Sequence, residues 1–435
     1  MKSIISIILL VFSFLHSFAQ KEENIFNYDI ANFWNAYDKI VTTKDSAQQY
    51  EYLDKLFIEK GSPGLKAIME VRDYTAQSYI EAIKNYPLFW NSVRKNTLKS
   101  DQFKDEIKAE LVKLKQLYPE MKPAQLYFTI GAMRTNGTTL NGMVLIGSEM
   151  ALTNKTTVST EFPDVSASSR KRYFDSEPVK NVVLLNIHEY VHTQQKEMVH
   201  NILSECIFEG VAEFVSVKAT GKESVVPAVK YGKTNLKVKE RFEEEMFINQ
   251  RRSKWLWSDA PNEFNVRDLS YYIGYSICEI YYTKATDKKA AIKQLIDLDY
   301  SNEIEIEKFV DGTKFLSAPL NTIYEAFEKK RPTVLSINQF KTGDKNVSPS
   351  LTQITLNFSK PMDKTRRGFD YGPLGESNVL RVKNVIGFSD DGKSFTFEVE
   401  LKPDQHYQSL VTNNFSAEDG TPLNPFLIDI ETAGK

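Results

Sequence analysis

At Arg331-Pro332 the apolar pattern of this chain changes period, so no single layer architecture suits both of its parts. From Ile25 to Tyr118, stretches such as YEYLDKLFIEK and DQFKDEIKAELVKLKQLYP set apolar and aromatic residues three and four apart, the spacing of one helix face. Past Pro332, VLSINQF, LTQITLNFS, VLRVKNVIGFS, KSFTFEVEL and HYQSLVT are short β-rich runs divided by turn signals such as Asp391-Gly392 and Pro403-Asp404. Short strands at that interval, over about 100 residues, predict a β-sandwich. The expected class is α+β: a mainly helical domain with a small sheet, then an all-β domain.

Between these parts, KPAQLYFTIGAM and LNGMVLIGSEMAL read as two paired strands, with turn signals at Asn136-Gly137 and Asn141-Gly142. TTVSTEFPDVSASSRKRYFDSEP is polar and loop-like. Asp175 or Ser176 can then cap a helix with Pro178 in its first turn, carrying VVLLNIHEYVH. NILSECIFEGVAEFVSVK predicts a second helix and RDLSYYIGYSICEIYYTKA a third, followed by AAIKQLIDL and NTIYEAFEKK. The domain bounds expected are 21–330, with a helical part to about 120 and a core from about 121, then 331–435.

The opening residues, MKSIISIILLVFSFLHSFAQ, combine Lys2, an apolar run from Ile4 to Leu15, and Ser17 and Ala19 at a cleavage-site spacing, so 1–20 reads as a signal peptide and the chain as exported, periplasmic or extracellular. No later apolar run reaches the roughly 18 residues of a membrane span. With 55 basic against 57 acidic residues, no charge excess points to nucleic acid. Two cysteines, Cys206 and Cys278, are too few for a disulfide scaffold; one bridge between them and two buried thiols are both open.

HEYVH places His188 and His192 one helical turn apart on one face, where both imidazoles can reach one ion, with Glu189 beside them. A catalytic zinc takes three protein ligands and a water whose pKa it lowers to about 7, while a carboxylate accepts the proton. A third ligand is therefore required. Gln195 and Met198 stand where HExxHxxGxxH would carry its glycine and third histidine, and His200 lies off the face of His188. SECIFEGVAEF instead offers Glu205, Glu209 and Glu213 at four-residue intervals. On pattern alone these form a solvated acidic face opposite Leu203, Ile207, Val211 and Phe214. Gly210, which costs about 1 kcal/mol in a helix interior, alters that reading by marking the close approach of another backbone, expected to be the HEYVH helix.

HEYVH, followed after sixteen residues by EGVAE, resembles the gluzincin branch of zinc metallopeptidases. More narrowly, it is similar to secreted bacterial zinc-dependent proteases with HExxH, EGxAE and a later YxxGY, matched by Tyr271, Gly274 and Tyr275, over roughly residues 125 to 285. The resemblance implies a zincin-like domain with zinc on His188, His192 and Glu209, Glu189 as general base, and Glu213 as the carboxylate that orients a ligand histidine. The choice between Glu209 and Glu213 stays open. Tyr275, and then Tyr271, are the candidates to stabilise the oxyanion. GMVLIGSEM is the candidate edge strand to which an extended peptide would add.

RPTVLSINQF, ITLNFSKPMD and KSFTFEVELKPDQHY resemble the bacterial Ig-like domain over nearly all of 331–435, a module of spacers and adhesion units in which His406 is a surface or packing residue. A secreted peptidase acting on a peptide or protein is therefore expected, with a cell-surface or periplasmic partner possible through the Ig-like module. The competing expectation is a non-catalytic exported binding or adhesion protein with a structural zinc site. Glu189 favours the enzyme, because a structural site has no use for a base beside an open position.

Overall fold

The computed structural model describes residues 24–434, so the expected signal peptide, residues 1–20, lies outside the described residues. The chain is a mixture of helices and several small sheets and divides into two compact units, 1–194 and 195–435. No helix among the described residues is long and apolar enough to cross a membrane.

The first unit opens with strand β1 (Ile25–Phe26) and helices α1 (Tyr28–Ile40), α2 (Ser46–Leu53), α3 (Pro63–Val71), α4 (Ala76–Asn85), α5 (Pro87–Thr97) and α6 (Lys104–Leu117). Their starts follow local chemistry. Asp45 and Ser62 accept backbone N–H groups at the starts of α2 and α3, and Thr75 with Ser78 forms a capping box on α4. Phe33, Trp34, Tyr37, Phe57 and Trp90 fill the space between them, with the Phe33 and Trp90 rings 4.7 Å apart.

Strands β2 (Gln125–Thr129), β3 (Gly137–Leu140) and β4 (Met143–Gly147) join β1 in a sheet of order β1-β2-β4-β3, with β1-β2 and β2-β4 parallel and β3-β4 antiparallel. Two expected strands are thus present and paired, and a third, β3, runs from the glycine of the first Asn-Gly turn signal to the residue before the second. This corrects the expectation for GMVLIGSEM: β4 is an inner strand of its sheet, and β1 and β3 are its edges. Helix α7 (Ser148–Ala151) follows, and the segment read as a loop contains α8 (Asp164–Asp175). Glu177 then takes a left-handed conformation, φ 54°, so the motif helix α9 (Val182–His192) starts only after a 3-10 turn at Pro178–Asn181.

Glu149 fixes the entrance to β3. Its carboxylate is buried and accepts the backbone N–H of Gly131 at 2.9 Å and of Met133 at 3.1 Å. Burial pushes its pKa up to about 7, and those N–H groups and the nearby Arg170 pull in the other direction.

The second unit contains α10 (Ile202–Thr220), α11 (Pro227–Thr234), α12 (Lys237–Glu245), α13 (Arg252–Trp255), α14 (Ser270–Lys284), α15 (Lys288–Asp297), α16 (Glu303–Thr313) and α17 (Leu320–Lys330). Asn201 caps α10, and Gly221, at φ 67°, ends it. Beyond α17, β5 (Val334–Ile337), β6 (Gln353–Phe358), β7 (Phe369–Asp370), β8 (Asn384–Phe388), β9 (Ser394–Glu398), β10 (His406–Val411) and β11 (Phe426–Glu431) form sheets of order β5-β6-β9-β8 and β11-β10-β7. Ile354, Leu356, Phe395 and Phe397 of the first sheet share one hydrophobic cluster with Val411, Ile428 and Ile430 of the second. His406 is a partly exposed strand residue, 2.6 Å from Asp429.

A carboxyl whose folded pKa exceeds its unfolded value stabilises the fold in its protonated form, so this contribution is present below the unfolded pKa and is lost as pH rises through about 7. Relative to Glu149→Gln, wild type is expected to lose about 2 kcal/mol of stability between pH 5 and pH 8, read from urea midpoints. A difference independent of pH contradicts this.

Candidate metal centre

α9 forms because Val182–Val191 is apolar or buried almost throughout and lies on β3 and β4. The Tyr190 hydroxyl accepts the Ala124 N–H at 2.8 Å and donates to the Lys122 carbonyl at 3.2 Å, and Gln194 accepts the Lys122 N–H at 2.7 Å. The motif is thereby tied to the segment entering β2. His188 and His192 bring their Nε2 atoms to 3.1 Å with ring planes at 82°. Two nitrogens about 2.0–2.1 Å from one tetrahedral ion lie about 3.3 Å apart, so the pair fits shared ligation.

Glu189 is 8% exposed and lies against the first residue of β3. A Cβ on Gly137 would stand 2.6 Å from Glu189 Oε1, so this glycine leaves the room that the carboxylate occupies. Gly137 was legible in the sequence only as part of a turn signal.

On α10, Glu205, Glu209 and Glu213 are 0%, 6% and 3% exposed. This corrects the solvated-face reading: α10 is buried from Ile202 to Val217 apart from the half-buried Phe208, and each carboxylate has its own partner. Glu205 accepts Arg252 Nε at 2.5 Å and faces His200 Nδ1 at 3.3 Å. Glu213 accepts the Ser224 hydroxyl at 2.5 Å. Glu209 Oε2 accepts the Tyr271 hydroxyl at 2.6 Å.

Gly210 does mark a close approach, and its partner is α14. A Cβ on Gly210 would lie 2.2 Å from the Gly274 carbonyl carbon, and one on Gly274 would lie 1.9 Å from the Cys206 oxygen. The two helices therefore cross backbone on backbone, which brings the Tyr271 turn of α14 onto the Glu209 turn of α10. The expectation that Gly210 serves a contact with the HEYVH helix is replaced by this crossing.

Among the described residues, His188, His192 and Glu209 are the group of His, Cys, Asp and Glu side chains able to hold a metal ion, with ligand atoms all within 4.8 Å of one another. Glu213 and His200 are not in it. Two imidazoles and one carboxylate, buried or half-buried, are a donor set that suits a divalent ion of the zinc type.

Of the candidate tyrosines, Tyr271 is the one in contact with a member of this group. It is half-buried, and desolvation, followed by the charges of Glu209 and Asp268, raises its pKa well above the ordinary phenol value. Tyr275 packs on Phe214 with ring centroids 5.3 Å apart and under Lys233 at 4.8 Å; burial, Glu279 and Glu213 push its pKa up to about 12. Cys206 and Cys278 are free and buried, not bridged, and burial raises both thiols. Cys206 donates to the Ser270 carbonyl at 2.9 Å. Trp257 and Asp268, beside Tyr271, carried no sequence signal.

No protein-family model matches the chain, and no curated protein matches it. Among solved structures it is similar to surface layer protein SbsC, domains 1–6, at 12% identity and a TM-score of 0.18, covering 93% of this chain and 44% of that one. The N-terminal part of the bacterial S-layer protein SbsC gives 14% identity and a TM-score of 0.18, covering 93% of this chain and 77% of that one. The chain thus spans less than half the length of the first of these.

Gly274→Ala is expected to destabilise the second unit by about 3 kcal/mol or more, because its Cβ meets backbone on both sides. Gly312, in α16 with nothing within 4 Å of a Cβ, is the control, and its replacement by Ala is expected to be neutral or slightly stabilising. Thermal melting of both proteins checks this; equal midpoints contradict the close crossing.

Proposed function

We propose that this chain is an exported zinc-dependent peptidase of the gluzincin type, a helical zincin-like domain followed by an Ig-like sandwich. The observation that carries the reading is the convergence of His188, His192 and Glu209 beside Glu189, the four residues that the HEYVH and EGVAE motifs single out.

His188 and His192 would hold the ion through imidazole nitrogens and Glu209 through a carboxylate oxygen. A zinc ion so held supplies Lewis acidity, polarising a carbonyl and making bound water acidic near neutral pH. Glu189 takes a proton from the attacking water on its carboxylate and returns it to the leaving amine. Its position against Gly137 supports that role, because β3 is the edge strand beside the base, to which an extended peptide would add by main-chain hydrogen bonds. The scissile bond would then pass next to the base. The substrate class is a peptide or protein in extended form, and the Ig-like module would serve as a spacer or surface-binding unit.

Glu189→Gln is expected to keep its zinc and to lose about 10²- to 10⁴-fold in kcat on a peptide library. Zinc content by elemental analysis and peptide cleavage by mass spectrometry read both. Wild type without metal, or equal cleavage by both proteins, contradicts the peptidase reading; equal cleavage at nil is what a binding or adhesion protein would give. Gly137→Ala leaves the metal donors in place and displaces the base, so zinc content is expected to hold while kcat falls about 10²-fold. Unchanged kcat would remove β3 from the account.

A further inference from the structure

We infer that Arg252 and Trp257 form a specificity-determining subsite for a carboxylate of the peptide, either an acidic side chain or the peptide's own C-terminal group; the inference rests on the peptidase reading above. Arg252 is tied to the helix that carries Glu209. Its Nε donates to Glu205 at 2.5 Å, and Glu205 lies four residues before Glu209, one turn along the same face of α10. An arginine offers five N–H groups in a planar fork, and this bond uses one of them. Among the described residues, neither terminal nitrogen of Arg252 has a hydrogen-bond partner. Its side chain is 44% exposed, although the glutamate that holds it is fully buried.

The guanidinium carbon of Arg252 stands 5.0 Å from the centre of the Trp257 ring, within cation–π reach. Trp34, Trp90 and Trp255 are at most 2% exposed, whereas Trp257 is 42% exposed. The backbone holds it there. The Trp257 N–H donates to the Asp268 carboxylate at 2.7 Å, the Asp268 carbonyl accepts the Tyr271 N–H at 3.0 Å, and the Tyr271 hydroxyl donates to Glu209 at 2.6 Å. Trp257 and Asp268 stand at φ 52° and 58°, left-handed conformations that cost a residue with a side chain about 1–2 kcal/mol. Strain of this kind persists where surrounding contacts over-determine it. Arg252 and Trp257 are thus anchored to α10 by two routes that end one turn apart, on Glu205 and on Glu209.

A guanidinium held at Nε by one carboxylate and against a ring keeps the edge between its terminal nitrogens, two parallel N–H donors that match a carboxylate in bidentate form. Glu205 balances the charge of Arg252, so the pair offers direction more than net charge and favours a planar anion with two acceptor oxygens. The exposed indole supplies an apolar wall for the residue that bears this group. Because the pair is anchored beside Glu209, the substrate class narrows to extended peptides with a carboxylate a few residues from the scissile bond.

The test uses the full zinc-loaded chain and short alanine–phenylalanine peptides that end in a free carboxylate or an amide, with amidated versions carrying Glu or Gln at each position in turn. Cleavage gives kcat and KM, and calorimetry on Glu189→Gln gives Kd without turnover. Wild type is expected to favour one carboxylate form over its amide about tenfold, in KM and Kd and not in kcat. The arm that shows the preference identifies its source. The double variant Glu205→Gln/Arg252→Gln strands no buried charge and is expected to bring that ratio to about one. Arg252→Lys, which keeps the charge and loses the fork, is expected to fall between. A merely structural role would change both forms alike and leave the ratio as it was. Cleavage without a carboxylate preference, or a preference that survives in the double variant, overturns the inference and leaves the peptidase reading standing. Should the double variant fail to fold, an unchanged ratio in Arg252→Lys overturns it alone. Wild type that binds the carboxylate forms about tenfold better and cleaves none contradicts the peptidase reading and supports the subsite; wild type that binds no peptide overturns both.

Discussion

Two glycines, Gly210 and Gly274, let the backbones of α10 and α14 touch, and the contact between Tyr271 and Glu209 depends on that crossing. Each glycine costs its helix about 1 kcal/mol relative to alanine. In return, no Cβ separates the helices where one would lie 2.2 Å or less from the opposing backbone. At that spacing a tyrosine on α14 reaches a glutamate on α10 with a hydrogen bond of 2.6 Å. A wider crossing would separate the two groups. Cys206 sits in the same contact, its thiol donating to the Ser270 carbonyl, so it packs the crossing and does not compete as a ligand.

The crossing matters because α10 carries three buried carboxylates, and a carboxylate taken out of water without compensation protonates instead of staying charged. The helix meets this residue by residue. Arg252 balances Glu205, the Ser224 hydroxyl serves Glu213, and the Tyr271 hydroxyl serves Glu209. A hydroxyl donates a hydrogen bond but brings no charge. A cation shared with the two imidazoles would place a positive charge beside Glu209, the third member of the group with His188 and His192.

Much of this was legible in the sequence for identifiable reasons. Helices over VVLLNIHEYVH, ILSECIFEGVAEFVSVK and SYYIGYSICEIYY follow from sustained apolar periodicity, and the histidine pair follows from its spacing of four. Gly210 was legible as a close approach, but a glycine states only that a neighbour is near, not which one, and the neighbour proved to be Gly274. The strand β3 was hidden because GTTL is four residues that begin on the glycine of one Asn-Gly pair and end just before another, each pair a turn signal in its own right. Missing it moved the sheet edge to β4 and left the seat of Glu189 unseen. α8 was hidden because DVSASSRKRYFD has too few apolar residues to show a face. The burial of Glu205, Glu209 and Glu213 was not legible at all, since a stripe of acidic residues looks the same whether water or Arg252, Tyr271 and Ser224 stand opposite it.

The central claim is that His188, His192 and Glu209 hold one ion, and the most direct measurement of it is zinc K-edge X-ray absorption on the zinc-loaded chain. The account predicts a nitrogen and oxygen shell at about 2.0–2.1 Å with outer-shell scattering from two imidazoles and no sulfur, with the two-imidazole pattern lost in His188→Ala. A sulfur shell at about 2.3 Å, which would place Cys206 or Cys278 on the ion, or an imidazole pattern that survives His188→Ala, would contradict it.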